Sequence, residues 1–195
     1  MTDRSVKIND WPIGRSVVLL IMRKPTALEA ILQSSIGLVR DKGLDGWSIE
    51  RVAKAAHCAK ALVVHHYLTR PGLLRATGAR IAEMRLGRRL GSLAPGGTVA
   101  LDALWLTIVD DAETGMSKAA FALAAHLYPT RQSNDAAALH SAIARALDVP
   151  RDVLAEPVAV MAMLEGLEFQ LVQHVEPAAV RPSFDRLWVT LIDPV

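Results

Sequence analysis

Residue types able to do chemistry fall in two places in this chain. His57, Cys58, His65 and His66 lie close together, a donor set that would suit a soft metal, and Asp110, Asp111 and Glu113 suggest general acid–base work or a hard cation. Neither spacing works. Adjacent residues on a helix point about 100° apart, so His65 and His66 cannot chelate together, and His57 and Cys58 fall in the turn behind them. The three acids end an apolar helical stretch with no His or Cys nearby, which reads as a solvated turn. Gly-rich phosphate loops, Ser-His-Asp arrangements and HExxH motifs do not occur. The expectation is a non-enzyme with no metal site and no cofactor.

The elements that position these residues are helices. Of 195 residues, 51 % are apolar and 5 % aromatic, and the apolar part is mostly Ala, Leu and Val, a bias toward helix over sheet. Cys58, the single cysteine, excludes an intrachain disulfide and a Cys-based zinc site and fits a reducing cytoplasm. No stretch approaches the roughly 18 apolar residues of a membrane span, so no membrane partner and a cytoplasmic location are expected. The net charge of +2 conceals an asymmetry. Residues 1–91 carry 16 Lys/Arg against 7 Asp/Glu, and residues 92–195 carry 6 against 13. The basic half is suited to a polyanion.

Residues 1–24 have no sustained period and read as a poorly ordered arm, with Met22 the expected natural start. From Thr26 the pattern is helical: Leu28, Ile31, Leu32, Ser35, Ile36 and Val39 make one stripe that stops at Gly43. Ser48 caps a short helix whose inward face is Val52, Ala53 and Ala56. His57-Cys58-Ala59 breaks it, and Lys60–His66 forms another short helix. Thr69 caps a longer fourth helix through Leu73, Leu74, Thr77, Ile81 and Met84. Two short helices joined by a tight turn after a supporting helix read as a helix-turn-helix.

The stretch Thr26–Leu74, above all SIERVAKAAHCAKALVVHHYLTRPGLL, resembles the N-terminal DNA-binding region of TetR-family transcriptional regulators. The matching residues are the Ser48 cap, Val52, Ala53 and Ala56, then His66-Tyr67, Arg70 and Leu73-Leu74. Four positions depart from the family pattern: His57 and Ala61 replace Gly, Ala59 replaces Ser or Thr, and Val64 replaces Tyr. His57 then needs a strained or modified turn, and Ala59 forgoes a side-chain cap worth about 1 kcal/mol. The resemblance implies a helix-turn-helix over about 48–67 inside a DNA-binding domain of residues 25–91. It also implies double-stranded, pseudo-palindromic operator DNA as partner. Lys60, His65 and His66 would face the bases, Ser48 and Arg70 would hold phosphates, Ala61 would permit close approach and Val64 would meet a thymine methyl.

Gly91–Gly97, with Pro95-Gly96-Gly97, is the clearest break. Beyond it, helices are expected from Thr98, over Ser117–Tyr128, over Asp135–Leu147 with Ser133 or Asn134 as cap, from Glu156 to His174, and over Ser183–Ile192. The resemblance makes residues 92–195 a helical effector-binding and dimerisation domain. Its last two helices would pair with those of a second copy through Leu164, Leu167, Leu171, Leu187 and Trp188, giving a homodimer. Composition adds a pocket for a small apolar or aromatic effector, drawn from Trp105, Met116, Phe121, Met163 and Phe169, with Met161 in the same set. Trp105 is the expected pocket wall. The fold class is all-α, a three-helix helix-turn-helix DNA-binding domain plus a helical ligand-binding and dimerisation domain. The function expected is a repressor released from its operator by the effector. The alternative is a ligand-binding or interaction module of the same fold that has lost operator binding.

Overall fold

A computed structural model describes residues 26–127 and 129–192; the expected N-terminal arm and Met22 lie outside them. The described residues form α1 (Ala27–Lys42), α2 (Ile49–Ala55), α3 (Lys60–Tyr67), α4 (Arg70–Ser92), α5 (Gly97–Glu113), α6 (Met116–Leu123), α7 (Pro129–Leu147), α8 (Pro157–Val172) and α9 (Pro177–Ile192), with no strand among them. Local chemistry sets the early boundaries. Thr26 and Glu29 make a reciprocal capping box, 2.7 and 3.2 Å. Gly43 ends α1 at φ 66°, where a side chain would be strained. Ser48 caps α2 through the Arg51 N–H, and Thr69 caps α4 through the Gly72 N–H with Pro71 in the first turn.

Two helices begin earlier than their sequence signals. α7 starts at Pro129 rather than at a Ser133 or Asn134 cap, because a proline lacks the donor that a first helical position leaves unused. α9 starts at Pro177 and carries Pro182 in its second turn. Pro182 cannot donate to the Ala178 carbonyl, and Ala178 is exposed, so water can take that role.

Two hydrophobic cores hold the helices together. The first joins Ile31, Ile36 and Val39 of α1, Trp47, Val52 and Ala53, Val63 of α3, and Leu73, Leu74 and Ile81 of α4. Met116, Ala119, Ala120 and Leu123 complete it from α6, which follows the Pro95 turn in sequence. A buried polar chain pins α1 to α4. The Trp47 indole donates to Ser35 (2.9 Å), Ser35 to Thr77 (2.7 Å), and Thr77 to the Leu73 carbonyl (2.8 Å), so each hydroxyl is satisfied. The second core is built from α5, α7, α8 and α9 around Leu104, Trp105, Leu139, Leu164 and Phe184, with Leu86 and Leu90 of α4 packed against it. α4 therefore belongs to both cores. None of the described helices is long and apolar enough to cross a membrane.

Candidate functional site

The turn between α2 and α3 adopts the backbone that its residues make costly. His57 sits at φ 52° and its N–H donates to the Lys54 carbonyl at 3.2 Å. Ala59 is the extended residue before α3 and gives it no side-chain cap. Val63 alone is fully buried on α3, with Leu62, Tyr67 and the neighbouring Cys58 partly buried beneath it. That inward set turns Lys60, Ala61, Val64, His65 and His66 outward together. Val64 is 38 % exposed, so its methyls are accessible. The His65 and His66 rings meet edge-on, centroids 5.3 Å apart. Among the described residues no group of three or more His, Cys, Asp or Glu could hold a metal.

Two of the cations are already engaged. Lys60 Nζ lies 2.5 Å from Glu50 Oε1. The hydrogen bond from Lys60, then the backbone N–H of Glu50 and the Ser48 hydroxyl, bring the Glu50 carboxyl down to about 2. Arg70 places its guanidinium 5.5 Å from the Trp47 ring centre, which orients it while leaving it exposed. Glu50 reads in the sequence only as a favourable first-turn acid; its partner stands in the next helix, a juxtaposition no local pattern carries.

On the other side of α4 lies a cavity of about 120 Å³, walled by Ala82, Arg85, Leu86 and Arg89 of α4, Phe121 of α6, Leu139 of α7, and Met161 and Glu165 of α8. Gly78 closes the wall: a Cβ there would come within 3.0 Å of Leu127. Of the five residues expected at a pocket, Phe121 alone lines it. Trp105 is in the second core, 5.1 Å from the Phe184 ring, because α5 turns that face toward α9 rather than toward the cavity. Met116 fills the first core, while Met163 and Phe169 point outward at 41 % and 50 % exposure. Phe169 only touches the outer edge of Phe121, at 5.7 Å. Periodicity distinguishes a buried face from an exposed one, not which neighbour covers it.

Behind the cavity is a buried ion cluster. Glu168 is fully buried and accepts from Arg85, from Arg89 Nη2 at 2.8 Å and from the Ser117 hydroxyl. Arg88 Nη1 reaches the buried Asp111 at 2.5 Å and its Nη2 binds Asp110. Of the acidic turn expected to be solvated, Asp110 and Glu113 are exposed, and Asp111, at 0 % exposure, is the correction: it forms the inner end of this cluster. Burial pushes the Asp111 carboxyl up, and the facing arginines offset this only in part. Burial also acts to raise Glu168, but Arg89, Arg85 and Ser117 outweigh it and leave it below the ordinary value. The available sequence signal is Arg85, Arg88 and Arg89 at i, i+3 and i+4, with Glu165 and Glu168 as the charged residues of a mostly apolar helix.

Sequence comparison finds no family model and no curated protein that matches this chain. Solved structures do match. A TetR family transcription regulator from Marinobacter aquaeolei VT8 aligns at TM-score 0.62 and 21 % identity, over 84 % of this chain and 94 % of its own. A TetR-family transcriptional regulator from Streptomyces coelicolor aligns at 0.60 and 18 %, over 83 % and 95 %. The chain has the TetR-regulator fold. The multidrug binding protein EbrR, complexed with imidazole, shares it at 0.62 and 20 %, over 88 % and 98 %.

In this TetR fold, α8 and α9 do not offer the residues expected at a dimer interface. Leu164 is fully buried, and Leu167, Leu171, Leu187 and Trp188 are each no more than 9 % exposed, all inside the second core of the same chain. The large apolar side chains left outside on these helices are Val158, Met163, Phe169 and Val189, the last at 71 % exposure, with the exposed Ala162 and Gly166 beside them on α8. Both faces of these helices carry apolar residues, and the larger leucine stripe went to the core of the chain itself.

Proposed function

We propose that this chain is a TetR-like transcriptional regulator, a homodimeric repressor released from a pseudo-palindromic operator by a small effector. The carrying observation is the joint outward display of Lys60, Ala61, Val64, His65 and His66 on the second helix of the helix-turn-helix, with Arg70 exposed at the start of α4. That helix enters the major groove. His65, His66 and Val64 read base edges, and Arg70 and the Ser48 helix start hold phosphates. The second copy docks on the Met163, Phe169 and Val189 face, which stays exposed on the last two helices apart from the edge contact of Phe169 with Phe121. The cavity beside α4 receives the effector, and its occupancy shifts α4 and hence the spacing of the two reading helices.

A salt titration tests this on duplexes selected by the full chain from random DNA. Arg70→Ala should weaken binding similarly across sequences and reduce the magnitude of the salt slope by about one. An unchanged slope removes the phosphate role, and selection of no duplex overturns the regulator. The second reading, a module of this fold without operator binding, draws on one observation: Lys60 is paired with Glu50 rather than free. It predicts folded dimers and no selected DNA.

A further inference from the structure

We infer that the ligand of the cavity beside α4 is a small carboxylic acid, about one aromatic ring in size, whose carboxylate is held by Arg85 and Arg89. This rests on the reading of that cavity as an effector site and names the chemical class it takes.

Size comes first. A cavity of about 120 Å³ is close to the ~150 Å³ apolar cavity known to admit benzene. Leu86, Phe121, Leu139 and Met161 supply apolar wall for a ring. Polarity is set by the arginines. Arg89 is 4 % exposed and Arg85 nearly as buried, and both line the cavity. A guanidinium carries five N–H donors. Each of these two commits its Nη2 to Glu168, and the Arg85 Nε also lies 3.7 Å from Asp111. Neither Nη1 has an acceptor among the described residues, and neither is sealed among the buried unpaired atoms, unlike the two Nε groups. Two charged donors therefore remain without an acceptor on arginines that wall a mostly apolar cavity, the pairing that a carboxylate satisfies through charge-assisted bonds. An uncharged ring would leave those donors unpaired, and a cation would meet two guanidiniums as well as the Asp135 and Glu165 carboxylates.

Glu165 stands on the same wall. Burial pushes its carboxyl up, Arg85 and Arg89 pull it down, and Glu168 adds to the upward shift, leaving it raised. Asp135 faces the cavity from α7, while α6 and the turn after it give only apolar wall. An arriving carboxylate adds a further negative charge beside Glu165, which favours its protonated form, and that form can donate to the ligand. Affinity should then rise as pH falls toward the Glu165 value, until the ligand itself is protonated.

The test uses the full chain and three probes that share a ring: benzoate, benzyl alcohol and benzylammonium. Thermal shift and calorimetry should find saturable benzoate binding at least tenfold tighter than benzyl alcohol, with benzylammonium weakest. Calorimetry in buffers of different ionisation enthalpy should show proton uptake with benzoate. Glu165→Gln should lose the uptake. Ala82→Leu, which fills the cavity without touching a charge, should weaken benzoate tenfold or more. The three-probe order on the unaltered chain needs no variant to fold. Equal or tighter binding of the neutral or cationic ring, no saturable benzoate response, or an unchanged response in a folded Ala82→Leu protein would each overturn the assignment. Operator release is read separately. Benzoate that binds without releasing DNA leaves the ligand class standing and removes the regulatory coupling. Release by benzyl alcohol or benzylammonium, with no benzoate binding, does the reverse.

Discussion

The two ends of α4 carry the same residue type in opposite surroundings. At the start, Arg70 and Arg75 are exposed beside the helix-turn-helix. In the last turns, Arg85 and Arg89 are buried and Arg88 reaches inward, all three against carboxylates of α5 and α8. Of the 16 Lys/Arg in residues 1–91, these three are neutralised by Asp110, Asp111 and Glu168 of the acidic half. A charge asymmetry along a sequence is therefore not a charge asymmetry of surfaces. Part of the basic excess serves the junction between the two cores, and the polyanion-facing charge is smaller than the count implies.

The most direct way to break this comparison is at the buried end. Removing Glu168 leaves Arg89 without its buried ion-pair partner and Arg85 with only Asp111, 3.7 Å from its Nε, and losing one partner of a buried pair costs about 3–5 kcal/mol. Glu168→Ala should lower Tm on the order of 10 °C in a chain of this size, whereas Arg70→Ala at the exposed end should leave Tm nearly unchanged. The pH dependence sharpens the contrast. Glu168 is lowered in the folded state, so its stabilisation is complete above the unfolded-state value of 4.5 and is lost as pH falls through its folded value. Asp111 is raised, so its contribution runs the other way, but it is present in both proteins. The stability gap between the parent chain and Glu168→Gln should accordingly narrow below pH 4.5 in urea titrations. A gap that stays constant to pH 3 would show that Glu168 acts through packing rather than charge.

The same division, inside against outside, governs α8 and α9. Phe169→Asp and Val189→Asp alter side chains exposed in the single chain, at 50 % and 71 %. Each should leave the fold intact, shift sedimentation toward a monomer, and weaken operator binding with it. Leu164→Asp would instead place an unpaired charge in the second core and unfold that half. A Phe169→Asp, Val189→Asp double variant that remains a dimer would place the interface elsewhere on the chain.

A smaller effect is expected in the turn of the helix-turn-helix. His57 holds φ 52° and Ala59 leaves the first turn of α3 without a side-chain acceptor. Ala59→Ser should add about 1 kcal/mol by capping the helix. His57→Gly should relieve a left-handed residue that costs roughly 1–2 kcal/mol, partly offset by the greater freedom of glycine when unfolded. Chemical denaturation reads both changes. Loss of stability on Ala59→Ser would mean that the extended backbone at Ala59 positions no usable acceptor.

Much of the first unit was legible in the residues. Thr26, Ser48, Thr69 and Gly43 act through neighbours a few positions away, so their roles follow from type and spacing. The positive φ of His57 followed in the same way, from a residue standing where the pattern has Gly. The outward group on α3 was legible too, because a short helix with one buried face leaves the rest exposed. What was not legible depends on which helices meet. Trp105 and Leu164 have the periodicity of buried residues, but a period does not say whether a core, a cavity or a second copy covers them. Asp111 and Glu168 looked solvated or incidental because their partners lie 23 and 79–83 positions away. The last helix, expected only from Ser183, starts at Pro177, since a proline near a helix start is tolerated where the freed carbonyl faces water.

The finest test returns to the exposed side, where Glu50 and Lys60 form an ion pair between the two helices of the motif. With its carboxyl near 2, Glu50 is ionised at any pH used for binding, so pH cannot separate the pair. A fixed carboxylate beside the start of the reading helix repels phosphate and competes for the one lysine of α3. Glu50→Gln keeps the length and polar character of the side chain and removes only the charge. If Lys60 is thereby released to DNA, affinity should rise a few-fold and the salt slope should steepen by about one, since one more counterion is displaced. Lys60→Ala in the Glu50→Gln background should cancel both gains, which isolates the pair from any general effect of the charge. A gain in affinity that survives Lys60→Ala would assign the effect to repulsion by Glu50 alone. No change in either quantity would show that Lys60 already exchanges Glu50 for phosphate on binding, and that the pair imposes no restraint on the exposed end of the molecule.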